Sequence, residues 1–159
     1  MKHKYIAFCS LLLLMLITGV FRGTWFTLTR SIESFSAEEF IHIGKVIIAN
    51  IAVPMRFIMP TGILLILLSL FLYEKKKSKA FYFGILSFAL IIIVLLITLL
   101  VLVPIDYSIK EWTANSFPQT RETIRDKWKL YHAVRTFASL VSFAFFSLFI
   151  LAGKAKGTS

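Results

Sequence analysis

The sequence lacks most of the residue patterns that enzymes use for covalent and metal chemistry. It contains a single cysteine in 159 residues, Cys9, which lies inside the first apolar run. This excludes a disulfide framework and a C-x-x-C redox pair. No glycine-rich phosphate loop, no H-E-x-x-H zinc motif and no defensible Ser/His/Asp arrangement occurs. Function classes that depend on these motifs are therefore set aside.

Charge is also scarce, since only 16% of the residues are charged, whereas 58% are hydrophobic and the mean hydropathy is +0.81. Four membrane spans of about 21 residues need about 84 apolar residues, close to the roughly 92 that this percentage represents. Almost no apolar material is left for a separate soluble domain. We expect residues 1–159 to form one transmembrane domain.

Four long apolar runs supply the spans. They are rich in Leu, Ile and Phe and lack the alternation of barrel strands, so they are predicted to be helices. The first run is too long for a signal peptide, and no small-x-small cleavage site precedes Arg22. The predicted fold class is all-α, a polytopic antiparallel four-transmembrane-helix bundle. Its helices are expected over about residues 5–28, 37–73, 80–104 and 117–152.

The lysines predict the orientation of the bundle. With four spans, both termini and the connection at residues 74–79 share one side, which holds eight lysines and one acid. The other half holds ten basic and seven acidic residues. By the positive-inside rule we expect both termini to be cytoplasmic. The membrane is expected to be the plasma membrane, which in bacteria is the inner membrane. Most of the net charge of +10 is then explained by this topology signal and not by a nucleic-acid partner. We therefore expect membrane lipid, and no nucleic acid, as a partner.

Arginine, tryptophan and histidine are concentrated in the opposite half. All six arginines, all three tryptophans and two of the three histidines fall there. In the fourth helix, polar residues recur at intervals of three or four and form one stripe. Because a charge that faces lipid is costly, this stripe must face the bundle interior or a cavity. Its members are Arg121, Arg125, Trp128, His132, Arg135, Ser139 and Ser142.

Other helices carry residues that match this stripe. The first helix offers Arg22 and Trp25, the second offers His42 and Arg56, and Asp106 ends the third. The sequence therefore predicts an arginine-lined pocket that opens outward. Its excess of positive charge implies an anionic or electron-rich ligand. We expect the floor of the pocket to hold Arg22, Arg56, Asp106, His132 and Arg135.

A less specific interpretation stays open. In it, Asp106 pairs with an arginine, the tryptophans form an interfacial aromatic belt, and Arg121 and Arg125 bind lipid headgroups. Headgroup binding is favoured for Arg121 and Arg125. A functional role is favoured for Arg56 and Arg135, because one acid cannot neutralise so many cations.

Two S-x-x-E/Q capping boxes predict where the second and fourth helices begin. Ser36 with Glu39 and Ser116 with Gln119 match the pattern in which a side chain at each position satisfies the backbone of the other. Both helices are therefore expected to start well outside the bilayer.

The stretch Pro104-Ile105-Asp106, followed by Trp112 and by Arg125-x2-Trp128-x3-His132-x2-Arg135, resembles a family signature. The family is the anthrone oxygenase-like family, small four-helix membrane proteins long described as a domain of unknown function. Its expected pattern is P-x-N followed by W-x3-H-x2-R. Asp106 thus stands where Asn is usual, which leaves the role of that position open.

The resemblance implies a chemistry. Characterised fungal members oxidise anthrones to anthraquinones with molecular oxygen, without an obvious organic cofactor. By that resemblance His132 is the general base, oriented by Asp106, and the cations hold a developing oxyanion. The substrate would be a hydrophobic aromatic or anionic small molecule. The ligand-binding set implied in this way is Arg22, Trp25, Arg56, Trp112, Arg125, Trp128 and Arg135.

Three alternatives come from other function classes. A haem or metal protein would use His42 and His132 as ligands, although no second histidine pair supports it. A binding or transport module for an amphiphilic anion, such as a lipid or quinol headgroup, needs the arginines but no base. An accessory subunit needs no ligand at all. The sequence does not predict an oligomeric state.

Overall fold

A computed structural model of the chain describes residues 2–113 and 118–154, and all regular structure within those ranges is helical. It contains four helical spans, each long and apolar enough to cross a membrane. The predicted all-α fold with four transmembrane helices is confirmed, and the chain is a multi-pass integral membrane protein. The first to fourth spans are Lys4–Ser34, Ala37–Phe71, Lys79–Glu111 and Arg121–Gly153.

Two of the spans change helix type along their length. The α-helix Lys2–Gly23 continues as a π-helical stretch over Thr24–Thr29, and a short 3-10 turn follows at Ile32–Ser34. The third span runs as an α-helix, a π-helical stretch and a second α-helix, over Lys79–Ile97, Thr98–Leu102 and Val103–Glu111. The second and fourth spans are the continuous α-helices Ala37–Phe71 and Arg121–Lys154.

The ends of the second span follow from its local sequence. Its start is the predicted capping box, in which Ser36 N donates to Glu39 Oε2 at 2.8 Å and Glu39 N donates to Ser36 Oγ at 3.3 Å. At its other end, Lys76 Nζ donates to the carbonyls of Leu70 and Phe71 at 2.6 and 2.8 Å. Both ends of this long helix are therefore satisfied. The other predicted box, at Ser116, lies outside the described residues.

The spans pack in a ring in which the first contacts the second and fourth, and the third contacts the second and fourth. Two pairs of serines form hydrogen bonds between neighbouring spans of this ring. Ser10 Oγ lies 3.0 Å from Ser69 Oγ between the first and second spans, and Ser87 Oγ lies 3.1 Å from Ser142 Oγ between the third and fourth. All four serines are fully buried. Such hydrogen bonds between membrane helices fix the relative height of the spans they join.

The two ends of the bundle differ in composition. We call the end at residues 72–78 the lysine-rich end, and the end formed by the starts of the second and fourth spans the arginine-rich end. The arginine-rich end is tied together by Lys45 Nζ, which donates to the Trp112 carbonyl at 2.7 Å, and by an ion pair between Lys129 and Glu33. A second apolar cluster forms there, including Ile32, Phe40, Ile109, Trp112 and Trp128.

Candidate functional site

The polar stripe of the fourth span faces the interior of the bundle. The exposed fractions of Trp128, His132 and Arg135 are 2%, 5% and 7%. These residues follow one another at intervals of four and three, which places them on one face of an α-helix. Ser139 and Ser142 continue the same buried face. The apolar sequence between these positions points outward, as expected for a helix in lipid.

Trp128 connects the fourth span to the third. Its indole Nε1 donates to Asp106 Oδ1 at 2.9 Å. A buried indole N–H needs an acceptor, and a carboxylate oxygen is a strong one. Asp106 is half-buried, at the point where the third span has returned to α-helix after its π-helical stretch. The acid expected from sequence to orient His132 or to pair with an arginine thus binds the tryptophan.

His132 lies between Trp128 and Arg135. Its ring centroid is 4.0 Å from that of Trp128, and its Nδ1 lies 3.0 Å from Arg135 Nη2. Because a guanidinium can only donate, Nδ1 of His132 is the acceptor, and the imidazole is neutral with its proton on Nε2. The arginine therefore sets the tautomer of the histidine.

Arg135 has only neutral partners among the described residues. Its Nη1 lies 3.5 Å from Thr98 Oγ1, and its guanidinium carbon lies 4.0 Å above the Phe21 ring, in cation–π geometry. Its Nε is buried and has no hydrogen-bond partner. The ion pairs found within the described residues, Arg125 with Asp126 and Lys129 with Glu33, do not involve it. A desolvated cation of this kind has donor capacity left for an anion.

Both π-helical stretches adjoin this cation. Thr98, a partner of Arg135, is the first residue of one stretch, and Phe21 lies three residues before the other. The Phe21 carbonyl also accepts from Thr136 Oγ1 at 3.1 Å, which joins the first and fourth spans next to Arg135. π-Helical turns are rare and frequently mark functional sites.

Asp106, Trp128, His132 and Arg135, here named the buried quartet, are thus linked by consecutive contacts. Other predicted site residues lie elsewhere. Arg22, Arg56 and His42 are exposed, and Trp25 is half-buried, with its ring edge-on to Phe137 at 5.3 Å. In the part of the chain that the structure describes, no group of three or more His, Cys, Asp or Glu side chains is placed to hold a metal ion.

Trp112 and Arg125 line a separate cavity of about 180 Å³ at the arginine-rich end. Phe40 forms the wall between this cavity and the buried quartet, because its ring lies 6.4 Å from Trp112 and 6.2 Å from Trp128. Burial places Trp112 and Trp128 inside the bundle rather than in an interfacial belt. The residues lining the cavity are Ile32, Phe35, Ser36, Ala37, Phe40, Ile41, Trp112, Arg121, Glu122 and Arg125.

Sequence reasoning missed three residues of this site. Phe21 and Phe40 each contact a member of the buried quartet, but nothing distinguishes them from the other phenylalanines of an aromatic-rich chain. Thr98 is polar and lies within an apolar run, so it carried a weak signal that could have been followed.

Comparison with known proteins agrees with the signature read from the sequence. The family described as anthrone oxygenase matches residues 50–145, more than half of the chain, and this range includes the whole buried quartet. No curated protein and no solved structure matches the chain. By the extent of the family match, the chain belongs to the anthrone oxygenase family.

Proposed function

We propose that this protein is a membrane oxygenase that oxidises an electron-rich aromatic or quinol-type substrate with molecular oxygen at the buried quartet. One observation carries the proposal: Arg135 is a buried cation with an unpartnered Nε, in direct contact with a neutral histidine. A desolvated cation beside a titratable base is suited to a reaction that creates an oxyanion by removing a proton.

The overall reaction would follow that of anthrones. A CH₂ group next to the aromatic system loses a proton to a base, and the resulting enolate donates electrons to oxygen. One oxygen atom becomes the new carbonyl oxygen, and the other leaves as water. Neither step needs an organic cofactor, because the enolate is itself the reductant.

In this proposal His132 is the base and Arg135 controls it. In the free enzyme the Nδ1 lone pair of His132 accepts the Arg135 hydrogen bond and is not available to a substrate. When a substrate oxygen binds the guanidinium, Nη2 moves toward it and leaves Nδ1 free to accept the C–H proton. Stabilisation of the oxyanion and activation of the base would then occur together.

Asp106 acts in this proposal as a positioning residue. It holds the Trp128 indole by the 2.9 Å hydrogen bond, and Trp128 in turn packs on the His132 ring. The acid therefore fixes the orientation of the base through an intervening aromatic ring. An Asn side chain, usual at this position, would offer the same acceptor oxygen.

The outer cavity is proposed as the entry site. Its volume of about 180 Å³ is slightly larger than the ~150 Å³ cavity that holds a benzene ring. One aromatic ring fits, with Arg121 and Arg125 close to anionic substituents. Rotation of Phe40 would connect the cavity to Trp128. The exposed Arg22 and Arg56 are assigned to lipid headgroups, which their long side chains can reach.

The test is oxygen consumption by the purified protein with a simple anthrone. We expect His132→Gln to lower the rate at least roughly 100-fold, the range for loss of a general base. Lys127→Gln, an exposed change one residue from Trp128, is the matched control and should keep the wild-type rate. Equal rates in wild type and His132→Gln would refute the assignment of the base.

A second function uses the same cation. If the protein only binds an amphiphilic anion, wild type consumes no oxygen, His132→Gln still binds a fluorescent quinol analogue, and Arg135→Met does not. The buried Arg135 favours this alternative as well, because it requires an anion whether or not a reaction follows.

The proposed location is the plasma membrane, and the proposed topology has both termini in the cytoplasm. It rests on the eight lysines of the lysine-rich half. In a Cys9→Ser background, Glu122→Cys should react with a membrane-impermeant maleimide in intact spheroplasts. Lys77→Cys should react only after permeabilisation. The reverse pattern would invert the orientation.

A further inference from the structure

An apolar groove lies at the lysine-rich end, away from the buried quartet. It has a volume of about 340 Å³, nearly twice that of the outer cavity. It lies between the first and fourth spans, beside Tyr73, which follows the second span by two residues. The residues lining it include Lys4, Leu11, Tyr73, Phe149, Ile150 and Gly153.

Tyr73 forms one wall of the groove. Its ring packs edge-on to Phe149 at 5.0 Å and stacks with Phe81 at 6.3 Å. A Cβ atom added at Gly153 would lie 3.5 Å from the Tyr73 hydroxyl. The missing side chain at Gly153 therefore keeps the groove open beside the tyrosine.

Lys4 gives the groove its charge. It is exposed and, within the described residues, forms no ion pair. Lys76 differs, because its ammonium is held by the backbone carbonyls that end the second span. In the sequence, the two termini and the connection at residues 74–79 together contain eight lysines and one acid. The groove thus combines an apolar channel with a cationic edge.

The volume indicates what kind of molecule fits. A helix about 10 Å wide would fill 340 Å³ in less than one turn, so the groove cannot hold a partner helix. It is about twice the ~150 Å³ cavity that holds benzene, which suits a section of an acyl chain. From Lys4 to Leu11 the first span rises about 10 Å, so the apolar part runs from the charged edge into the membrane.

We propose that this groove binds one anionic phospholipid, with the phosphate at Lys4 and an acyl chain between Leu11 and Ile150. The complementary charge selects an anionic headgroup over a zwitterionic one, since a second positive charge in the lipid would be repelled by Lys4. The site is independent of the oxygenase proposal, because none of its residues belongs to the buried quartet.

The test is native mass spectrometry of the detergent-purified full chain. The protein is titrated with phosphatidylglycerol and, separately, with phosphatidylcholine of the same acyl chains. We expect one phosphatidylglycerol to remain bound to wild type, and Lys4→Ala to weaken that binding about fivefold, the effect of one lysine near an anionic lipid. Gly153→Leu should weaken binding of both lipids by filling the groove.

Matched variants separate the groove from a general charge effect. Lys77→Ala removes a lysine from the same end but not from the groove, and Gly19→Leu adds a side chain to the first span where nothing lies within 4 Å. Both should bind phosphatidylglycerol as wild type does. The proposal would be overturned if wild type retained the two lipids equally. It would also be overturned if Lys4→Ala and Lys77→Ala lowered the affinity for phosphatidylglycerol by the same factor. Should Gly153→Leu fail to fold, the lysine pair decides the question.

Discussion

Nδ1 of His132 accepts a hydrogen bond from Nη2 of Arg135 at 3.0 Å, within one turn of the same helix. The bond is local, so it forms whenever the fourth span is helical and both rotamers point inward. It leaves the histidine without a free basic nitrogen until the arginine finds another acceptor. In the proposed mechanism this local bond would couple substrate binding to base activation, in a way that two residues on separate spans would not ensure.

Replacing Arg135 should reduce oxygen consumption without lowering the thermal stability of the protein. Arg135→Met removes a buried cation while keeping a similar volume, and such replacements are often neutral or stabilising. We expect an unchanged or higher melting temperature by circular dichroism, with oxygen consumption reduced roughly 100- to 1000-fold by loss of the oxyanion donor. A large fall in melting temperature would show that Arg135 is mainly structural. Arg30→Met, an exposed arginine outside both the buried quartet and the outer cavity, is the comparison for loss of charge alone.

The Asp106–Trp128 hydrogen bond should contribute about 1.5–3 kcal/mol to stability, the range for a bond to a charged group. Trp128→Phe removes the donor and leaves Asp106 unsatisfied. Asp106→Asn keeps an acceptor and should cost much less. Unfolding free energies of Trp128→Phe, Asp106→Ala and the double variant would give the coupling energy, because each of these single changes removes the hydrogen bond. If Trp128→Phe is as stable as wild type, the bond does not fix the indole.

Phe40 should limit the size of the substrate. Phe40→Leu shortens the wall between the outer cavity and Trp128, whereas Phe35→Leu changes the same cavity without touching Trp128. We expect Phe40→Leu to raise the oxygen consumption rate with a three-ring anthrone by severalfold, relative to the rate with phenylacetone, a one-ring ketone that carries the same kind of acidic CH₂ group. Phe35→Leu should leave that ratio unchanged. An identical ratio in wild type and both variants would mean that substrate enters by another route.

The serine pair between the third and fourth spans should make a small, measurable contribution. Ser142→Ala removes the hydrogen bonds to Ser87, and bonds of this kind in membranes average about 0.6 kcal/mol. We expect a loss of that order in an unfolding titration. Ser108→Ala, an exposed serine of the third span that bonds only its own helix backbone, should cost less. A larger cost at Ser108 would contradict this account.

Much of the site could be predicted because helical periodicity is strict. The four-three spacing of Trp128, His132 and Arg135 required a common face, and lipid required that face to be inward. On the second span, the sequence predicts His42 and Arg56 on one face that turns toward the pocket. Most of this helix is apolar, so its rotation is set by packing against its neighbours, and the structure leaves both side chains exposed.

The partner of Asp106 was not predictable for a related reason. The π-helical stretch at Thr98–Leu102 precedes it, and apart from Thr98 the sequence of that stretch is apolar. Periodicity counted through an uninterrupted α-helix would assign Asp106 a different direction. The sequence indicates the position of Asp106 along the bundle axis. Its contact with Trp128, and not with His132, depends on this local change of helix geometry.

The same stretch gives the third span a built-in phase shift. A π-helical turn in an α-helix amounts to one extra residue, and one residue corresponds to about 100° of rotation. The part of the third span that carries Ser87 and the part that carries Asp106 are thus set at different angles to the fourth span. Losing one residue from Thr98–Leu102 would preserve every side chain of the buried quartet and still turn Asp106 away from Trp128. The spacing of this segment therefore constrains the site as strictly as the identity of its residues.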